Sequence, residues 1–206
     1  MPPRLRLWWW ESDRIVLLSF DETRAVFERP AATHREAIYT VEPGTADASL
    51  YRVEVNQRLL QAAGRNFQLL LCLPPDQVLQ RTLILPLAVE EDLRQALTFE
   101  LDRYTPFRPE QVYFDFRVSE RDAGQKRLSV ELAAVPKSVV DQGVARAAAL
   151  GLAVDGAVLA AELLQYAGDC RNFLPAAATR RKPSARRWRR AGMAALSGML
   201  LVILLA

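Results

Sequence analysis

The chain has 206 residues, 50% apolar and 25% charged, enough to bury a core and too apolar for a disordered chain. Two cysteines, Cys72 and Cys170, and one histidine, His34, exclude a disulfide scaffold, a four-thiolate zinc site and any multi-histidine metal centre. The net charge of +3 is segregated: Arg180, Arg181, Lys182, Arg186, Arg187, Arg189 and Arg190 form a basic run with no acid after it, and subtracting these seven leaves −4 on residues 1–179.

The first ten residues, MPPRLRLWWW, hold an apolar stretch closed at once by Glu11 and Asp13, too short for the ~7–15-residue core of a signal peptide. The Trp8–Trp10 run is a docking patch if exposed and core if buried, and core is the preferred reading. Ile15–Leu18 reads as a short buried strand that pairs with Val26–Glu28 through a turn around Asp21–Thr23. Residues 40–48, with Pro43, Gly44 and Thr45, read as a loop, and the alternation of Tyr51, Val53 and Val55 with Arg52 and Glu54 predicts a strand. Leu69–Leu73 is a continuous apolar run closed by Pro74-Pro75, as in a buried strand; a second strand runs from Val78 to Leu85 and ends at Pro86.

Val89, Leu93, Ala96, Leu97, Leu101 and Tyr104 then share one helical stripe. Glu90, Glu91 and Asp92 sit in its first turn and Arg103 in its last, where the helix dipole favours each charge, and Pro106 stops it. Alternation in Val112–Val118 and in Leu128–Ala134 predicts a hairpin joined by the polar stretch 119–126. A helix from near Pro136 is expected to bury Val140, Val144, Ala147 and Ala148 and to end with Gly151 at C′. A short extended piece, Leu152–Val154, and a last helix at about Ala157–Ala167 precede a linker rich in Ala, Pro and Arg. This order predicts a mixed α/β fold with helices covering the sheet.

After Arg190 come sixteen uncharged residues, AGMAALSGMLLVILLA. The expectation is the start of a single transmembrane helix, truncated short of the ~20 residues a span requires. The basic run before it would hold the body in the cytoplasm. Arg186, Arg187, Arg189 and Arg190 read as a membrane anchor facing anionic headgroups rather than nucleic acid, with Trp188 at the interface.

Catalytic motifs are not visible. There is no Walker-type or dinucleotide-type glycine loop and no Gly-x-Ser-x-Gly elbow, and Gly44–Asp47 reads as an ordinary loop. Cys72 reads as a small core residue rather than a nucleophile paired with His34. Glu100 and Asp102 are two apart and do not face each other on a helix. No catalytic residue, metal or cofactor is expected.

One stretch is distinctive: Leu83-Ile-Leu-Pro-Leu87, Glu90-Glu-Asp-Leu93, Phe99-Glu-Leu-Asp-Arg-Tyr-Thr-Pro-Phe107 and Val112-Tyr-Phe-Asp115. It resembles the L subunit of bacterial type II secretion systems (GspL) and the related pilus assembly proteins PilM and PilN, over about residues 67–160. The resemblance implies an actin-like (ribonuclease H-like) cytoplasmic body, a basic linker, one span and a small periplasmic domain. It implies a non-catalytic scaffold of the bacterial inner membrane whose body docks the secretion ATPase (E subunit), and whose span and periplasmic domain join the M subunit. The chain departs from the pattern in having no Asp-x-Gly phosphate loop in its N-terminal portion.

The expected organisation is 1–66, a strand-rich part of the cytoplasmic domain; 67–168, an α/β subdomain; 169–190, a basic juxtamembrane linker; and 191–206, the start of the span. Expected partners are the ATPase, the M subunit and other platform proteins, membrane lipids and a second copy of the chain, with no nucleic acid. A pilus assembly protein and a membrane-tethered actin-like nucleotide-binding protein are the alternatives. By their own chemistry, Phe99, Glu100, Asp102, Arg103, Tyr104, Thr105, Pro106 and Phe107 read as structural. Pro106 ends the helix, Phe107 plugs the helix–sheet seam, Glu100 and Arg103 can pair at i, i+3, and Arg103 can reach orphan carbonyls at the helix end.

Overall fold

The computed structural model describes residues 5–6, 14–31, 34–42, 48–65, 67–165 and 169–174. The expectations for Trp8–Trp10, for Gly44–Asp47, for the anchor residues Arg186, Arg187, Trp188, Arg189 and Arg190 and for the apolar run 191–206 lie outside the described residues.

A two-residue strand, β1 (Leu5–Arg6), precedes an antiparallel meander of β2 (Ile15–Phe20), β3 (Ala25–Pro30) and β4 (Arg35–Val41). As expected, Ile15–Leu18 is fully buried and β2 pairs with β3 through a tight turn, in which the Asp21 N–H donates to the Arg24 carbonyl at 2.9 Å. On the outer strands, Arg29 pairs with Glu36 at 2.6 Å and Arg35 with Glu28 at 2.9 Å. These charges keep the β4 edge unattractive to further strands.

Residues 51–55, predicted as a strand, belong instead to a helix, α1 (Ala48–Ala63). Val55, Leu59 and Ala63 recur every four residues and are buried, whereas Val53 is 57% exposed. The alternation seen locally is one part of a longer helical period, and the face that meets the sheet decides the structure.

β5 (Gln68–Cys72) runs parallel to β2. The predicted strand at 78–85 is β6 (Leu79–Pro86). The single helix expected over 89–104 is two pieces, α2 (Leu93–Phe99) and α3 (Leu101–Tyr104), broken at Glu100 with φ −106° and ψ 11°. Leu93, Leu97 and Leu101 still form one buried stripe. Glu90 and Glu91 lie in the turn before α2 rather than within it.

The hairpin is β7 (Val112–Asp122) and β8 (Arg127–Pro136), with a turn shorter than the polar stretch suggested and Lys126 at φ 53°. α4 (Lys137–Ala149) buries Val140, Gly143 and Ala147, while Ala148, expected in the buried stripe, is exposed. It ends as predicted on Gly151 at φ 74°. The Leu152 N–H donates to the Ala147 carbonyl at 3.0 Å and the Gly151 N–H to that of Ala148 at 2.9 Å, a Schellman closure. Ala157 and Val158, the start of the final helix expected at about Ala157–Ala167, belong instead to a strand, β9 (Gly156–Val158), parallel to β5, and the helix is shorter, α5 (Ala160–Gln165). The run is apolar on both faces and fills the free edge of β5, which a helix there would leave open.

Two main sheets result. The larger has the order β4-β3-β2-β5-β9, and the smaller is antiparallel, β6-β8-β7. The larger sheet therefore draws strands from both sides of residue 66. One core lies between this sheet and helices α1 and α4; a second lies between the small sheet and α2–α3, with Tyr104 and Phe107 at its rim. A third cluster, Ile15, Leu17, Leu70, Cys72, Val158 and Cys170, packs with Leu163 of α5. Residues 169–174, expected to open the linker, are instead part of the body. β10 (Asp169–Cys170) pairs with β1, and Cys170, Arg171, Asn172, Phe173 and Leu174 are all buried. No helix among the described residues is long and apolar enough to cross a membrane.

Candidate functional site

The two-residue period of β7 sends Phe116 into the core under α2–α3 and turns Asp115 and Arg117 to the opposite face. The register places Arg117 beside Glu131 and Glu131 beside Thr82, and it places Asp115 beside Ala133 and Ala133 beside Gln80. Gln80, Thr82, Glu131, Asp115 and Arg117 therefore share one face of the small sheet, and the segment 171–174 lies across it.

That segment clasps both sheets. The Asn172 side-chain oxygen accepts the N–H groups of Ala157 and Leu174, each at 3.0 Å, and the Phe173 N–H donates to the Ala157 carbonyl at 2.9 Å. The Asn172 N–H donates to Asp115 Oδ2 at 3.3 Å. Asp115, only 3% exposed, takes Arg94 of α2 on its other oxygen at 2.7 Å. Arg94 reaches it by lying over the rings of Phe114 and Phe116, 5.2 Å from each centroid.

Arg171 donates through Nε to Glu162 Oε1 at 2.7 Å and through a second guanidinium nitrogen to the same carboxylate. It also reaches Gln80 Oε1 at 3.0 Å and the Glu131 carbonyl at 3.4 Å. Arg117 approaches Glu162 Oε2 at 3.5 Å. Buried charges persist only when paired and hydrogen-bonded, and here Arg171 and Arg117 share the Glu162 carboxylate, while Arg117 Nη1 stands 3.8 Å from Glu131 Oε2, beyond hydrogen-bond reach. A cleft of about 310 Å³ opens beside it, lined by Gln80, Thr82, Glu131, Glu162 and Arg171. With its cations facing carboxylates, the seam joins the two sheets.

The residues singled out in sequence divide in two. Leu101 and Thr105 are buried. The Thr105 hydroxyl donates to the Leu101 carbonyl at 2.9 Å and its Oγ1 accepts the Phe107 N–H at 3.3 Å, so Thr105 closes the helix before Pro106. Glu100 accepts from the Tyr104 hydroxyl at 2.7 Å rather than pairing with Arg103, which raises the tyrosine's pKa. Phe99 is 75% exposed, and Asp102, Arg103 and Pro106 are exposed too.

Among the acids before α2, Glu90 pairs with Arg121 at 2.6 Å, while Glu91 and Asp92 face solvent. They rim a second cleft of about 460 Å³ floored by Leu93, Phe116 and Val118. Burial pushes the Cys72 thiol up to about 12, so it stays protonated and unreactive at neutral pH. Among the described residues, no three His, Cys, Asp or Glu side chains gather as metal ligands would.

Sequence reasoning missed Asp115, Arg117, Glu162, Arg171 and Asn172 as a set. Their one local signal is Phe173-Leu174, an apolar pair inside a stretch read as linker.

No family model matches the chain. One curated protein does: type II secretion system protein L of Xanthomonas campestris pv. campestris is 46% identical over 70 residues, which is 34% of this chain and 18% of that protein. Part of this chain is similar to type II secretion system protein L. The match spans less than a fifth of that relative's length.

Among solved structures, a chain of the PilM–PilN type IV pilus biogenesis complex aligns at TM-score 0.44 and 19% identity, over 68% of this chain and 46% of that one. The cytoplasmic domain of EpsL, an inner-membrane component of the Vibrio cholerae type II secretion system, aligns at TM-score 0.44 and 12% identity, over 70% of this chain and 56% of that one. A Bacteroides thetaiotaomicron protein with an actin-like ATPase fold aligns at TM-score 0.29 and 14% identity, over 65% of this chain and 49% of that one.

Proposed function

We propose that the chain is the cytoplasmic body of an inner-membrane platform protein of a type II secretion system, a non-catalytic scaffold that docks the secretion ATPase to the membrane. The observation that carries this reading is the 46% identity with type II secretion system protein L. Two features support it. An antiparallel meander followed by two parallel strands, in the order β4-β3-β2-β5-β9, suits a ribonuclease H-like body. The segregation of seven cations at 180–190 before an uncharged run suits a body held at the cytoplasmic side of a membrane. In this reading residues 175–190 are the juxtamembrane linker and 191–206 the start of the span. Residues 171–174 fasten the two sheets, so the linker leaves from a rigid point and a load applied through it is borne by both sheets.

A scaffold needs only an interface, of roughly 800 Å² per partner for stable docking. The test is the distribution of the secretion ATPase between membrane and soluble fractions in cells with and without the intact gene. The ATPase should leave the membrane fraction when the gene is deleted and return on complementation. An ATPase that stays membrane-bound in the deletion strain refutes the docking role. Clear binding of ATP with magnesium by calorimetry would overturn the non-catalytic reading.

A further inference from the structure

The outer side of α2–α3, like Ile84 of β6, is a part of the distinctive block that packing does not explain. Leu93, Leu97 and Leu101 turn inward. At 3.6 residues per turn, Gln95, Phe99, Asp102 and Arg103 then point the opposite way, with Glu91 and Asp92 just ahead of the helix and Glu100 on the flank. The face is thus an exposed aromatic ring among four solvent-facing acids and one base, continuous with the acid-rimmed cleft over Phe116 and Val118. An exposed large aromatic with charges mainly of one sign around it is the composition of a docking anchor.

We propose that this face docks the chain's own basic segment, residues 180–190. Three observations select that occupant. First, charge is complementary: the segment RRKPSARRWRR carries seven cations and no acid, against an acidic face on a body of net −4. Second, the apolar element is matched, because Trp188 sits between Arg187 and Arg189 and can stack on Phe99 while the flanking guanidinium groups meet Glu91, Asp92 and Asp102.

Third, the chain leaves the body beside the strand edge that α2 grips, with length enough to go round it. Leu174 donates to Asn172, Asn172 to Asp115, and Asp115 holds Arg94, which is itself a residue of α2. From Leu174 to Trp188 the chain can extend up to about 46 Å, while the twelve residues of α2–α3 span about 18 Å. The extended segment is thus more than twice the length of the face, and it starts from the opposite side of the small sheet, at the β7 edge where Arg94 meets Asp115. Docked on the face, it turns α2–α3 toward whatever holds residues 191–206, and it neutralises acids that an anionic lipid surface would otherwise repel.

The experiment uses the full chain in micelles containing phosphatidylglycerol, with a photo-crosslinking phenylalanine in place of Phe99. Mass spectrometry then locates the product. The expected result is an intramolecular crosslink to residues 180–190 that is lost at high salt. It should fall about tenfold when Glu91, Asp92 and Asp102 are all changed to lysine, as expected for several exposed ion pairs acting together. All three side chains are exposed, so folding should be unchanged, which circular dichroism would check. A crosslink found only to lipid or to a second copy, a yield indifferent to the three reversals, or no crosslink at all would overturn the proposal.

Discussion

The side-chain oxygen of Asn172 accepts the backbone N–H of Ala157 at 3.0 Å, while the next residue, Phe173, donates its own N–H to the Ala157 carbonyl at 2.9 Å. Ala157 lies in β9, the last strand of the large sheet, so both of its outward backbone groups are satisfied by a segment that arrives fifteen residues later. The open edge of the sheet is closed locally without another strand. Because Asn172 also donates to Asp115 on the small sheet, the same residue ties the sheets together.

Replacing Asn172 with alanine strips an acceptor from two buried N–H groups, those of Ala157 and Leu174. Each unsatisfied group costs about 1–3 kcal/mol. Urea unfolding of Asn172→Ala should show a clearly lower midpoint. A midpoint equal to that of the parent protein would mean that the segment is not docked in solution.

Arg171 and Glu162 are each about 5% exposed and form a buried pair. Removing one partner leaves a buried charge uncompensated, at about 3–5 kcal/mol. Arg171→Met should therefore be strongly destabilised. The double variant Arg171→Met/Glu162→Leu removes both partners and leaves Arg117 with Glu131 at 3.8 Å, so it should recover part of the loss. If the two single costs simply add in denaturant titrations, the pair is not coupled and the buried pairing is wrong.

Gly143 faces β5 from α4, and a Cβ there would stand 2.6 Å from Leu71 Cδ2. Gly143→Ala gains helix propensity of up to about 1 kcal/mol, but it overpacks a core where such intrusions cost about 1–3 kcal/mol. The net change should be destabilising, and Leu71→Ala in the same chain should relieve the clash. A Gly143→Ala variant more stable than the parent would show that α4 stands off the sheet.

The Cys72 thiol is raised from an ordinary 9.0 to about 12, with burial the largest cause. A raised folded-state value means that the folded chain holds the proton while the unfolded chain releases it. The stabilisation is whole below about pH 9 and declines as pH rises from 9 towards 12. Both cysteines are buried. An aromatic disulfide reagent at neutral pH should thus modify neither thiol rapidly in the folded protein and both in urea. Rapid modification of Cys72 without denaturant would contradict its burial.

Between residues 67 and 151, most of the secondary structure was legible in the sequence, because strict alternation and a 3.6-residue stripe are local signals. The sequence also located the Pro106 stop and the Gly151 cap, each set by backbone chemistry that neighbours do not alter. It failed where the local pattern was compatible with two periods. Val53 and Val55 mimic a strand until Leu59 and Ala63 are seen against the sheet, and Gly156–Val158 joins a sheet because β5 offers an unpaired edge. The polar seam was out of reach for the same reason. Asp115, Glu131, Glu162 and Arg171 come from different elements, and only the register of β7 on β8 and the return of residues 171–174 bring their charges into contact. A lone carboxylate in a sequence is solvated by default. Whether it is instead buried and paired depends on which strand edge the chain finds later, and that is a property of tertiary packing.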